Sequence, residues 1–290
     1  PIATTWADFQ MLRDVYKKLN GKTVVSFPLR LTRLVRQAKD IIDSGETGRI
    51  EHVSAFNYVT YGGVYFHGWY RDFEETQGLF LQKATHDFDY INFLLGFRPI
   101  QIFAMQSQQI YKGEKPYDLR CKNCEEYRIC QESPYILNNY CGEISRGDMC
   151  CFSKGIRNHD SASVLVRYET GMHVSYTQNF FVRKSVARRG AVLSGYRGTV
   201  EFDWGTNEVI LHSHYSPRTA VYKFGKEEGH GGGDIKLAKN FIDVVLGEAE
   251  SETPLESGLW SVLMCLSAKD SAEQNIVVDI NFDKSIRQDE

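Results

Sequence analysis

The segment Lys83-Ala84-Thr85-His86-Asp87-Phe88-Asp89 carries an amine, an imidazole and two carboxylates. On a helix, Lys83 and His86 lie three apart and share a face, as do His86 and Asp89. One such group can accept a hydroxyl proton while another orients or relays it. Oxidation of an alcohol needs this, because hydride loss from carbon requires proton loss from oxygen. The expected catalytic set is Lys83, His86 and Asp89, with Asp89 behind His86 as its orienting partner. The competing reading is a solvated lysine and a histidine satisfied in the core. A second group is Gly229-His230-Gly231-Gly232-Gly233-Asp234, just before an apolar helical stretch. Its glycines let backbone approach a ligand, and a helix start offers free N–H groups to hydroxyls or anions. A plain connector capped by Asp234 is the alternative. Tyr65, His67, Trp69 and Arg71 form a third group, aromatic faces with one cation, which suits a sugar ring. A packed tryptophan and a surface arginine would give the same pattern.

The fourth group is a cysteine run: Cys121-x2-Cys124-x5-Cys130, then Cys141, Cys150 and Cys151. Two thiolates at C-x2-C spacing are half of a tetrahedral zinc site. The expectation is a structural zinc held by Cys121, Cys124, Cys130 and one of Cys150 or Cys151, with Cys151 preferred. Iron–sulfur ligation and disulfides are the alternatives. A metal would also explain an excursion over residues 113–157 with little apolar content.

These residues need a scaffold. The chain has 290 residues, 42% hydrophobic and 13% aromatic, enough to build a core. A net charge of −3 argues against a dedicated nucleic-acid binder. No apolar run approaches the roughly 20 residues of a membrane span, and no signal peptide is visible, so a cytoplasmic location is expected. Helical spacing appears over 5–19, ended by Asn20-Gly21, and over 31–45, 78–96, 234–247 and 255–273. Strand patterns occupy 22–27, 50–61, 100–110, 161–168, 172–182, 190–195, 198–203, 207–214, 219–224 and 276–280. Strands joined by short turns, with helices before and after, imply an α+β fold: a large, mostly antiparallel sheet with helices on one face. The first helix and strand look like the last piece of a larger α/β unit. Aromatic residues on the strands (Phe56, Tyr58, Tyr176, Phe180, Phe181) suggest that the uncovered face meets a second subunit, giving a homodimer or homotetramer.

Several segments resemble the Gfo/Idh/MocA family, the relatives of glucose–fructose oxidoreductase and inositol dehydrogenase. Pro1-Ile2-Ala3 looks like the end of the family's Glu-Lys-Pro motif. Arg30, Lys39, Ser44-Gly45 and Gly48-Arg49-Ile50 follow the order of another family stretch. Trp69-Tyr70-Arg71-Asp72 precedes Gly78 and His86 as a W-x-x-D precedes the family's helix start and histidine, and Leu94-Leu95-Gly96 closes that helix. The resemblance implies an NAD- or NADP-dependent oxidoreductase acting on a sugar or polyol. Residues 1–28 would be the remnant of its nucleotide-binding Rossmann domain. Residues 29–290 would be the substrate-binding and oligomerising domain. It also implies substrate contacts from Arg30, Trp69, Arg71 and His230, and no cofactor contacts within this chain, which has no G-x-G-x-x-G. Many relatives carry Asp where this chain has Gln82; Lys83 matches the lysine of another branch. A non-catalytic binding module, or an NAD-dependent glycoside hydrolase of the same family, remains open.

Overall fold

Alternation of inward apolar and outward polar residues builds one nine-stranded sheet. Its strands are β1 (Ile50–Tyr58), β2 (Pro99–Ser107), β3 (Ser161–Tyr168), β4 (His173–Asn179), β5 (Arg188–Gly195), β6 (Gly198–Asp203), β7 (Glu208–Ser213), β8 (Thr219–Lys223) and β9 (Val278–Asp279). The computed structural model describes residues 1–18, 22–141 and 147–283. The spatial order is β8-β7-β6-β5-β1-β4-β3-β2-β9. Only the β1–β4 pairing is parallel; the others are antiparallel. In β3, Ala162, Val164, Val166 and Tyr168 turn inward, while Ser163, Leu165 and Arg167 turn outward.

Helices cover one face: α1 (Trp6–Tyr16), α2 (Arg33–Asp43), α3 (Thr85–Leu95), α4 (Gly233–Leu246) and α5 (Leu255–Gln274). Thr5 and Thr32 cap α1 and α2, their hydroxyls accepting from the N–H groups of Asp8 and Val35. Helix α2 lies on β6 and β7, and α5 lies on β2 and α3. Phe9, Leu34, Val35, Phe88, Val164, Phe202 and Leu263 belong to the continuous core between the layers. The expected fold class is therefore the observed one.

Several local expectations need correction. Residues 22–27 form no strand; Val25 instead donates its N–H to the Thr253 carbonyl at 2.7 Å. The expected helix over 78–96 is divided, with a π-helical turn at Phe80–Ala84 feeding α3. The Asn20-Gly21 stop lies outside the described residues. Tyr176 and Phe180, expected on the open face, are fully buried on the helix side. The open face is mixed: Phe56, Tyr58, Val192 and Ile210 are part-buried there, and Leu165 and Val221 are exposed.

The cysteine-rich excursion packs on a small second core, to which it contributes Cys151 and Ile156. Val59, Tyr65, Phe66, Leu79, Tyr111, Cys151, Ile156 and Phe180 form a second apolar cluster. The Asp160 carboxylate accepts three consecutive backbone N–H groups, from Gln109, Ile110 and Tyr111, at 2.6–3.0 Å. Asn158 donates to the carbonyls of Tyr65 and Tyr70. The excursion is thus anchored by packing and backbone capture.

Candidate active site

The site lies at one end of the helix-covered face. Asn57 near the end of β1 is in register with Arg189 on β5 and with Gln178 on β4, so their side chains form one polar row. Helix α3 lowers Asp87 onto this row. The fully buried Asp87 carboxylate accepts from Arg189 Nε at 2.8 Å, Asn57 Nδ2 at 2.7 Å and the Tyr176 hydroxyl at 2.8 Å. Four residues earlier, in the π-helical turn, Lys83 donates its Nζ proton to the Tyr61 hydroxyl. Tyr61 follows β1, where the chain turns at Gly62. A Cβ on Gly62 would sit 1.9 Å from the Phe180 carbonyl oxygen, so only glycine allows this close approach.

Burial, reinforced by the Arg189 charge, holds the Lys83 amine below its ordinary range. Burial alone would raise the Tyr61 phenol, but the positive charges of Lys83 and Arg189 outweigh it and lower the group. An amine pushed down and a phenol pushed down, joined by a hydrogen bond, form a couple that can pass one proton between them. His86 is part-buried, and desolvation, with Arg189 and Lys83 adding to it, lowers its imidazole to about 3. It is neutral near pH 7. Its ring meets Phe27 edge-on at 5.8 Å, and among the described residues its Nδ1 has no hydrogen-bond partner.

Tyr61 opens onto a cleft of about 270 Å³ that is also lined by Asn57, Arg188, Arg189, Trp204, His230 and Gly231. His230 stands on its glycine loop in the left-handed region (φ 45°), with Nδ1 2.8 Å from Asp234 Oδ1. Of the expected site residues, His230 lines this cleft, and Lys83 meets it through its hydrogen bond to Tyr61; His86 is not part of the lining.

The other expected residues lie elsewhere. Asp89 does not orient His86. It forms a buried, two-bond pair with Arg30, with Nε to Oδ2 at 2.9 Å. Burial pushes Asp89 up to about 6, although Arg30 beside it pulls the other way. Arg30 is held there and by the Glu252 carbonyl, and it does not line the cleft. Arg71 is 3% exposed and donates to the carbonyls of Tyr117 and Cys150, pinning the excursion. Trp69 is 64% exposed, stacked on Tyr70 and outside the cleft lining. The expected zinc ligands come within electrostatic reach of one another, Cys121 near Cys124, Cys130 and Cys150, but they do not form a metal center. Among the described residues, no group of three or more His, Cys, Asp or Glu side chains is placed to hold a metal. All seven cysteines are free, and Cys151 packs in the second apolar cluster.

Asp87, Tyr61, Arg189 and Trp204 were not singled out by sequence reasoning. Asp87 carried a usable signal, standing one helical turn after Lys83. Arg189 and Trp204 are far away in sequence and meet the site only through strand register.

The model of the GFO/IDH/MocA C-terminal domain matches residues 35–201, and the chain belongs to this family. It is 26% identical over 285 residues to a Bacillus subtilis (strain 168) protein, the candidate oxidoreductase YteT, covering 86% of this chain. The chain spans 65% of the length of that relative. Among solved structures, an oxidoreductase domain protein from Kribbella flavida superposes with a TM-score of 0.75 at 14% identity, covering 97% of this chain and 73% of the other. Levoglucosan dehydrogenase in complex with NADH and levoglucosan gives a TM-score of 0.69 at 16% identity, covering 97% and 72%. These likenesses show the fold.

Proposed function

We propose that this member of the GFO/IDH/MocA family is the substrate-binding part of an NAD- or NADP-dependent dehydrogenase acting on a sugar or polyol. The observation that carries the reading is the Lys83–Tyr61 couple, with Tyr61 on the wall of the cleft. Tyr61 takes the proton from a substrate hydroxyl and Lys83 accepts it in turn. Asp87 fixes Arg189 beside them. His86, neutral, stands behind them on α3, and His230 borders the cleft from its loop.

The chain's own residues do not fit a dinucleotide. Its sequence has no G-x-G-x-x-G, and among the described residues the sheet has a single parallel pairing in place of a βαβ unit. The nucleotide site is therefore assigned to a further part of the protein, of which residues 1–28 are the end, with residues 29–290 as the substrate and oligomerisation domain. An unpartnered apolar face on α4 supports this: Ile235, Phe241, Ile242, Val245 and Leu246 are all more than half exposed. No helix among the described residues is long and apolar enough to cross a membrane. Seven free thiols fit a cytoplasmic setting.

The test is nicotinamide reduction by the full-length protein with NAD or NADP and a panel of sugars and polyols. Reduction with at least one sugar-type alcohol is expected. Glycoside cleavage without net reduction would move the protein to the hydrolase reading, and inertness to every compound would favor a binding module.

A further inference from the structure

The chain coils from Tyr61 into a helical turn, Val64–His67, and the cysteine-rich excursion grips the far end of that turn. His67 is 3% exposed. Met149 of the excursion meets it twice. The Met149 N–H donates to the His67 carbonyl at 3.2 Å, and His67 Nδ1 lies 2.7 Å from the Met149 carbonyl oxygen. Glu132, also from the excursion and also buried, brings Oε2 to 3.9 Å from His67 Nε2. Its Oε1 accepts from Arg183. Gly63, two residues after Tyr61, sits against both side chains. A Cβ there would lie 3.3 Å from His67 Cδ2 and 4.0 Å from Glu132 Oε2.

These contacts fix the protons of the imidazole. A carbonyl oxygen only accepts, so Nδ1 carries a hydrogen. In a neutral ring Nε2 is then a bare lone pair, and here it faces a carboxylate oxygen. Both atoms are closed to solvent, and among the described residues neither has a hydrogen-bond partner. Two buried acceptors turned on each other are unfavorable, and a single proton between them satisfies both. The other groups facing Glu132 do not compete for that proton near neutral pH. Burial and the Glu132 charge push the Tyr111 phenol and the Cys151 thiol up, and burial does the same for Cys130. Arg183 is cationic throughout.

We propose that Glu132 is a positioning residue for Tyr61, acting through one proton that it shares with His67. With the proton in place, one ring ties Glu132 and Met149 of the excursion to the turn that ends on His67. Without it, His67 keeps Met149 alone and turns a lone pair on the carboxylate. The effect on turnover rests on the reading of Tyr61 as the group that meets the substrate hydroxyl; the shared proton does not.

The test is a histidine-selective NMR titration of the full-length protein, joined to its steady-state rates. His67→Asn identifies the His67 signal. Glu132→Gln keeps the shape of the side chain and an oxygen for Arg183 but removes the charge. In this variant the His67 ring should lose its proton about one pH unit or more below the parent, a tenfold or larger drop in proton affinity. Turnover should fall by about 10- to 100-fold, the scale of a displaced catalytic group. An identical His67 titration in the two proteins would overturn the shared proton, and full turnover in Glu132→Gln would overturn the positioning role. Should the variant fail to fold, the parent decides. Its neutral His67 must keep the hydrogen on Nδ1, and a neutral ring protonated on Nε2 would refute the proposal. A shifted titration without nicotinamide reduction would sink the dehydrogenase reading and leave the shared proton standing. Reduction with no shift would do the reverse.

Discussion

At the scale of single residues, helical spacing located the start of α3 but misassigned its carboxylate. Lys83, His86 and Asp89 do stand on successive turns, yet Arg30, from a turn more than fifty positions away, captures Asp89. Which carboxylate meets the Arg189–Asn57 row is a tertiary choice, and spacing alone cannot make it. Asp87 takes that place with no exposure and an arginine against it. Asp87→Asn should leave Arg189 as an uncompensated buried charge and cost about 3–5 kcal/mol of stability. Chemical denaturation of variant and parent checks this; a loss below about 1 kcal/mol would mean that water relieves the arginine. The buried histidines make a separate prediction. His86 and His159 are lowered from 6.5 to about 3 by desolvation. Between these values the unfolded chain binds protons that the folded chain refuses, so stability rises with pH there. It should therefore fall as pH drops from about 6.5 toward 3. His159→Gln should flatten the slope; an unchanged slope would assign the acid sensitivity to other groups.

At the scale of elements, alternation in the strands and the helix stop at Gly96 were legible, because both are local. Three features were not. The π-helical turn at Phe80–Ala84 inserts a residue into an otherwise helical pattern, and no composition signal marks it. The 22–27 segment has strand-like residues but finds its partner in the Thr253 backbone and not in a sheet. The excursion seemed too poor in apolar groups to stand without metal. Its apolar partners come from outside it, from Val59, Tyr65, Phe66, Leu79 and Phe180. The turn after β1 gives the sharpest test at this scale. Gly62→Ala would drive a methyl against the Phe180 carbonyl and force the Tyr61 loop away. A loss of about 1–3 kcal/mol is expected, with a fall in turnover exceeding that of Gly63→Ala, where the nearest atom is a ring carbon of His67 at 3.3 Å. Thermal unfolding and steady-state rates of both variants decide it; equal effects would show that Tyr61 is not held by this approach.

For the whole molecule, the α+β class followed from strand succession, but the burial of each sheet face depended on where the helices settled. The open face is less aromatic than the sequence suggested, though Leu165 and Val221 still stand out from it. Self-association through this face remains the expectation. Leu165→Lys should shift a sedimenting dimer or tetramer toward monomer, and a parent that is monomeric at high concentration would refute the idea. The central claim is that Lys83 and Tyr61 carry the substrate proton in a nicotinamide-dependent oxidation. The pH dependence of turnover by the full-length protein, parent against Lys83→Met, addresses it directly. A lysine held below its ordinary range titrates on the acid limb, where protonation removes the acceptor. The account predicts a drop in kcat of roughly 10²–10⁴-fold, loss of that acid limb, and unchanged nucleotide affinity. A Lys83→Met protein that keeps its turnover and its acid limb would contradict it.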